Sequence, residues 1–326
     1  MSRIDELRLM TKVAHLYYMH KLKQADICEQ LGLHQSTISR LLKRAEREGI
    51  VRVTVSAASG IHPELEDALQ SEFGLRSAIV VDCSGDEAQI ARDLGSAAAY
   101  YLETTLKHDD VIGISAWSAA LLGMVNAMHG HQRWKGIKVV QILGGVGSPN
   151  AEVHATQLTR RLAQVAGGTA TLLPAPGVTG TADARRVLLK DPFVREAVSL
   201  FRAVTVAMVG IGAIEPSRAI ASSGNVFSPR ELKHLTHLGA VGDICLRFFD
   251  AHGRPVASPM NERVISMELS DLVKVRRVVA VAGGRRKLAA IRGALAGKLV
   301  NELITDVQTA EQLAGRARGL RAVVRA

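Results

Sequence analysis

The chain has 326 residues, 47% hydrophobic and 22% charged, with 29 Gly and 9 Pro. That composition suits a folded protein with room for two domains, and it excludes a fibre, a disulfide mini-protein and wholesale disorder. Forty-one Lys and Arg against 31 Asp and Glu leave a formal charge of +10, a balance that favours a polyanionic partner without identifying one.

Residues 1–56 read as a compact helical unit. From Ile4 to Met19, apolar side chains at Leu7, Met10, Ala14, Tyr17 and Tyr18 recur at spacings of three and four, one face of a helix. A second helix is predicted over Gln24 to Leu31, where Gly32 breaks it, and a third from Gln35 to just before Gly49. Val51, Val53 and Val55 then alternate with polar residues, the period of a half-exposed strand over Ile50 to Val55. Residues 57–76 form a linker that contains a helix from Pro63 to Phe73, with proline in its first turn.

From residue 77 to 326 short apolar runs alternate with helical stretches. Strands are predicted at Ala78–Val81, Asp110–Ser115, Ile137–Leu143, Ala170–Leu173, Ala203–Val209, Asp243–Phe249, Arg277–Ala282 and Glu302–Thr305. The helices between them include Asp86–Leu106, Trp117–Met128, Ala151–Val165, Ala182–Leu189, Phe193–Phe201, Pro229–Leu238 and Arg285–Leu295. Continuous apolar strands separated by helices give a doubly wound, mainly parallel α/β domain, covered on both faces. The longest nearly uncharged stretch, Ala203 to Ile214, is far too short to span a bilayer, and acids stand near the N-terminus where a secretory signal would be basic and then apolar. Cys28, Cys83 and Cys245 form no CxxC pair, which argues against a disulfide framework or zinc site and for a reducing cytoplasm.

The strongest signal lies between Gln24 and Leu42. Ile27, Leu31, Leu33, Ile38 and Leu41, with small Cys28 and the turn residue Gly32, hold two helices crossed around one small core, a helix-turn-helix. The second helix then presents Gln35, Ser36, Thr37, Ser39, Arg40, Lys43 and Arg44, polar groups for base edges and cations for phosphates of double-stranded DNA. The competing reading is a helical hairpin whose basic side is merely solvated. Residues 1–56 carry a net +4 and the much longer remainder +6, so the charge is denser where DNA would bind. The four arginines between Gly315 and Ala326 read as a solvated tail.

Glycine-rich loops supply the second signal. Leu143 to Ser148, with Gly144, Gly145 and Gly147, and Val281 to Lys287 each follow a strand and precede a helix, while Gly210–Gly212 and Gly239–Asp243 read as two further turns of this sort. None matches a dinucleotide or phosphate-loop pattern. Four such turns on one sheet would line a ligand crevice at the carboxyl ends of the strands. Catalytic and metal signals are thin: His129 with His131 and His234 with His237 lack acidic or cysteine companions, and Ser115–Ser118 and Ser222–Gly224 lack a nucleophile elbow. Asp243 and Asp306 either bind sugar hydroxyls or cap the elements that follow. No cofactor, metal or catalytic residue is expected.

These segments together resemble the SorC family of sugar-binding bacterial transcriptional regulators along almost the whole chain. The likeness runs through the helix-turn-helix from Gln24 to Leu42, Gln141–Gly147, Leu173–Pro176, Val241–Asp250, Asn261–Arg263, Val281–Gly284 with Lys287, and Leu303–Asp306. It implies an effector domain similar to sugar-phosphate isomerases and glucosamine-phosphate deaminases. It also implies a homo-oligomer, a dimer or tetramer, whose operator binding is controlled by a carbohydrate effector: a sugar, polyol or sugar phosphate. The effector site implied comprises Ser115, Trp117, Ser118, Gly144, Gly145, Gly147, Asp243 and Lys287. Where the family carries a Trp-Gly-Arg/Thr-Thr type loop on the effector's phosphate, this chain reads Trp117-Ser118-Ala119-Ala120. Either Ser115 or Ser118 substitutes for the absent groups, or the ligand is unphosphorylated. A sugar-phosphate isomerase or deaminase is the alternative function, but it offers no acid/base pair at the loops and no use for residues 24–48.

Overall fold

The computed structural model describes residues 3–51, 60–115, 117–130, 134–145, 149–215 and 227–323, and the backbone alone for 3, 149–155 and 316–323. The chain divides into two compact units, Met1–Ala58 and Ser59–Ala326. Of the strand predicted over Ile50 to Val55, residues 52–55 lie outside the described residues.

In the first unit, helix Arg3–Ala14 runs into a π-helical turn, His15–Met19, and is followed by helices Gln24–Leu31 and Gln35–Arg47. Met10, Val13, Ala14, Ile27, Ile38, Leu41, Leu42 and Ala45 form its buried core. Gly32, at φ +63°, ends the second helix in the left-handed conformation that glycine adopts without a steric cost.

The second unit is built on a seven-stranded, wholly parallel sheet. Its strands are β1 (Ser77–Val81), β2 (Val111–Ile114), β3 (Lys138–Gln141), β4 (Thr169–Thr171), β5 (Val206–Val209), β9 (Arg277–Val281) and β10 (Glu302–Asp306), in the order β1-β10-β9-β5-β2-β3-β4. β5 and β9 are buried along their whole length, as the apolar runs Val206–Val209 and Val278–Val281 require when both faces are covered, and buried Arg277 is paired with Glu302 at 3.4 Å. One face packs Val80, Val140, Val209, Leu303 and Ile291, the other Leu94, Ile112, Leu121, Met124 and Ile304. On the latter face, helices Glu87–Thr105 and Ala119–Ala127 meet at Gly95, where an added methyl would sit 2.7 Å from the Ala120 carbonyl oxygen. The helix Pro63–Phe73 belongs to this unit, and Glu66 on it accepts from the Val80 amide of β1 at 3.0 Å.

The run Asp243–Phe249, predicted as one parallel strand, is instead an antiparallel hairpin. β7 (Ala240–Ile244) pairs with β8 (Arg247–Asp250), and two-residue β6 (Gly212–Ala213) completes a second, three-stranded sheet. The turn is Cys245 and Leu246 at φ +54° and +59°, and Asp243 Oδ2 accepts from the Leu246 amide at 2.9 Å across it. Two consecutive left-handed residues are the geometry of a tight hairpin turn, here without the usual Asn or Gly. Gly239–Asp243 therefore does not belong to the large sheet: Gly239 follows helix Pro229–His237 and leads into β7. The tail likewise continues as the backbone helix Val307–Val323.

Candidate functional site

In the first unit the helix Gln35–Arg47 buries Ile38, Leu41, Leu42 and Ala45 and turns its polar side outward. Gln35, Ser36, Arg40 and Lys43 are exposed, and Thr37 and Ser39 partly so. Arg44 differs from them: its guanidinium donates to Glu6 on the first helix and to Glu48, both at 2.5 Å. It ties two helices together, whereas Lys43 makes no ion pair among the described residues.

In the second unit the chain runs from β2 outward to β3 and β4, then returns to β5 and runs the other way through β9 and β10. The order thus reverses between β2 and β5, and an open α/β sheet forms a crevice at the carboxyl ends of its strands at such a point. Ser115, Trp117 and Ser118 follow β2, and Gly210 follows β5. These two chain ends touch: a methyl on Gly210 would lie 2.9 Å from Ser118 Oγ. Ser118 also caps helix Ala119–Ala127 by accepting from the Leu121 amide at 3.3 Å.

Directly after Gly210, β6 carries the chain against β7, where Gly212 pairs with Asp243 so closely that a side chain on Gly212 would collide with the Asp243 carboxylate. Helix Leu288–Ala296 packs on β7 through Ala290 against Gly242. Its N-cap residue is Lys287, whose ammonium feels the Asp243 charge. Burial pushes the Asp243 carboxyl up to about 6, opposed by the Leu246 amide and by Lys287. Burial also pulls the Lys287 ammonium down, helped by neighbouring Arg286 and resisted by Asp243 and Glu87.

One residue of this cluster carries no sequence signal. Cys245, at the hairpin turn, is buried, bonds with the Ser115 side chain and lies near Asp243; burial pushes its thiol up to about 12, so it stays protonated at neutral pH. Gly210, in one of the glycine turns that the sequence marks, leaves room for Ser118. A juxtaposition across distant elements, such as that of Cys245 with Ser115, leaves no local pattern that would reveal it.

The glycine loop after β3 behaves differently from the sequence reading. The Gly144 amide donates to the Ile265 carbonyl at 3.1 Å and the Gly145 amide to the Ala175 carbonyl at 3.0 Å. A methyl on Gly144 would lie 2.5 Å from that Ala175 oxygen. Gly144 therefore lets two backbones approach, and neither amide is left for an anion. Gly147, the remaining glycine of that loop, lies outside the described residues, as do His131 and Ser222–Gly224. Asp306 is a capping residue: Oδ2 accepts from the Gly284 amide at 2.7 Å and the Thr309 hydroxyl at 2.6 Å, and Oδ1 from the Thr309 amide. Among the described residues no group of three or more His, Cys, Asp or Glu converges to hold a metal ion, and no helix is long and apolar enough to cross a membrane.

Chemically, the Asp243 carboxylate and the Lys287 ammonium, near enough to feel each other's charge, lie beside small residues, a set that exchanges hydrogen bonds with hydroxyl groups. Two family models match the chain, a sugar-binding domain over residues 62–314 and the MarR family over residues 13–60. The chain is 33% identical over 310 residues to the deoxyribonucleoside regulator of Bacillus subtilis (strain 168), covering 95% of this chain and 98% of that one. The crystal structure of the full-length sorbitol operon regulator SorC from Klebsiella pneumoniae matches with a TM-score of 0.73 at 31% identity, over 95% of this chain and 99% of that one. The sugar-binding domain of a transcriptional regulator, DeoR, from Pseudomonas syringae pv. tomato matches with a TM-score of 0.62 at 43% identity, over 78% of this chain and all of that one.

Proposed function

Because the chain belongs to the SorC family of sugar-binding bacterial transcriptional regulators, we propose that it binds an operator through its first unit and releases or tightens that grip when a carbohydrate occupies the crevice of its second. It is a transcriptional regulator, not an enzyme. The observation that carries the proposal is the presence on one chain of a helix with an exposed, acid-free polar side at Gln35–Lys43 and an α/β unit that matches a sugar-binding domain over residues 62–314. In our reading Gln35, Ser36, Thr37, Ser39 and Arg40 meet base edges, Lys43 meets phosphate, and Arg44 holds the unit together. Asp243 accepts from effector hydroxyls, Lys287 donates to effector oxygens, and Ser115, Trp117 and Ser118 border them. The protein acts in the cytoplasm as a homo-oligomer. Occupancy of one site then changes affinity at the other, and the coupling must act equally in both directions.

The test is selection of duplexes from a random library by the full-length protein, followed by titration of the selected duplex with sugars, polyols and their phosphates. A shared motif is expected, together with at least one carbohydrate that shifts its affinity by about fivefold or more. Asp243→Asn should remove that shift and leave the affinity for the free duplex unchanged. Failure to enrich any motif would sink the proposal.

A further inference from the structure

We infer that Arg286 is the residue through which the effector crevice communicates with the chain that leads to the DNA-binding unit. It is a positioning residue, joining the turn that bears Lys287 to the loop that follows β1. Lys287 belongs to the effector reading proposed above, on which this assignment rests.

Arg286 is the middle residue of the one-turn helix Arg285–Lys287, which joins β9 to helix Leu288–Ala296. The Lys287 amide closes that turn on the Gly284 carbonyl at 2.9 Å, so a displacement of Lys287 toward a ligand carries Arg286 with it. The guanidinium grips two segments. Nε and Nη2 donate to the two carboxylate oxygens of Glu87 at 2.8 and 3.3 Å, a paired geometry that fixes orientation as well as distance. Nη1 donates to the Glu215 carbonyl just beyond β6, the strand that pairs with Asp243.

Glu87 opens helix Glu87–Thr105, and the loop before it runs straight back to the end of β1. At the β1 end of that loop Asp82 Oδ1 accepts from His62 Nε2 at 2.7 Å. His62 is the N-cap of helix Pro63–Phe73, and its carbonyl accepts from the Leu65 and Glu66 amides, both at 3.0 Å. The unit begins at Ser59, and the chain before it leads into the helix-turn-helix. Lys287, Arg286, Glu87, the loop 82–86, Asp82 and His62 thus form one unbroken series.

Both joints in the series are open to water. Arg286 and Glu87 are 26% and 60% exposed, His62 and Asp82 26% and 62%. Such pairs hold geometry while contributing little to stability, so either opens without unfolding the unit. Arg277 with Glu302, sealed at 6% and 4%, is the opposite case.

The test is hydrogen exchange, read by mass spectrometry on the full-length protein without carbohydrate. It judges the series whatever becomes of the effector reading, which the titrations above decide. In Arg286→Met, the loop 82–87 and the peptide holding Leu65 and Glu66 should exchange about tenfold faster, while β5 and β9 keep wild-type rates. Glu87→Gln should reproduce the pattern, and Arg286→Lys, which keeps the charge, should restore part of the protection. Asp82→Ala should speed Leu65 and Glu66 at least as much, and adding Arg286→Met to it should do nothing further there, because the two act in series. Coupling is reciprocal, so the selected duplex should change exchange of the Gly284–Leu288 peptide in the wild type and not in Arg286→Met. Acceleration confined to the loop 82–87, additive effects at Leu65 and Glu66, or a duplex response that is absent from the wild type or equal in both proteins would overturn the inference. If Arg286→Met also loosens β5 and β9, Glu87→Gln decides on the same criteria.

Discussion

Asp243 shows a residue held in a state that costs stability. Its carboxyl is raised from 3.8 to about 6 by burial, and the Leu246 amide and Lys287 only partly offset that burial. A raised folded-state value means that the folded chain holds the proton more tightly than the unfolded chain does. The stabilisation is therefore complete below about pH 4 and lost as pH rises through about 6, so at neutral pH the ionised carboxylate is a net penalty. A shift of roughly two units corresponds to at most about 3 kcal/mol, and partial exposure of the side chain reduces that figure. Asp243→Asn keeps the volume and an acceptor for the Leu246 amide but cannot ionise. Its melting temperature should exceed that of the wild type near pH 7.5, and the gain should fade as pH falls toward about 4. Paired melting curves across that range check this, and a variant less stable than wild type near pH 7.5 refutes it. Such a penalty at a largely buried carboxylate fits a residue kept for binding at the expense of stability.

Elements differ in how openly the sequence declares them. The strands of the large sheet were legible because burial on both faces demands unbroken apolar runs such as Val206–Val209 and Val278–Val281. The helix-turn-helix was legible because Gly32 and the Ile27, Ile38 and Leu41 spacing report one small core. The hairpin Ala240–Asp250 was not, since its turn is Cys245-Leu246 and the flanking apolar residues read straight through it. Asp243 and Lys287 entered the site through family resemblance, whereas their proximity is a product of helix Leu288–Ala296 packing on β7. The helix Gln35–Arg47 yields a prediction at this scale. Replacing Gln35 or Arg40 with Ala should relax sequence preference by about 1–3 kcal/mol, because a lost base contact affects only matching sites. Lys43→Ala should weaken all duplexes alike and lower the salt slope by about one, because a phosphate contact releases a counterion whatever the sequence. Anisotropy titrations on selected and scrambled duplexes at several salt concentrations separate the two. Equal ratios for wild type, Gln35→Ala and Arg40→Ala would move the base contacts elsewhere.

At the scale of the whole molecule, one recognition helix is too small to define an operator. Gln35–Arg47 offers four exposed or half-exposed polar side chains near its start and then Arg40 and Lys43, a few base pairs of readout at most. Specificity sufficient for a genome comes from joining identical units by a closed symmetry, so that half-sites recur one helical turn or a multiple apart. The full-length protein should therefore sediment as a dimer or tetramer at micromolar concentration, and the selected motif should contain two related half-sites. Inserting about five base pairs between those half-sites rotates one to the opposite side of the duplex, and should cost much of the affinity, whereas inserting about ten should restore part of it. Rotational phasing is the decisive observation because a monomer that reads one half-site is indifferent to it. Indifference to spacing, with a monomer in sedimentation both with and without the duplex, would leave the symmetric assembly without support.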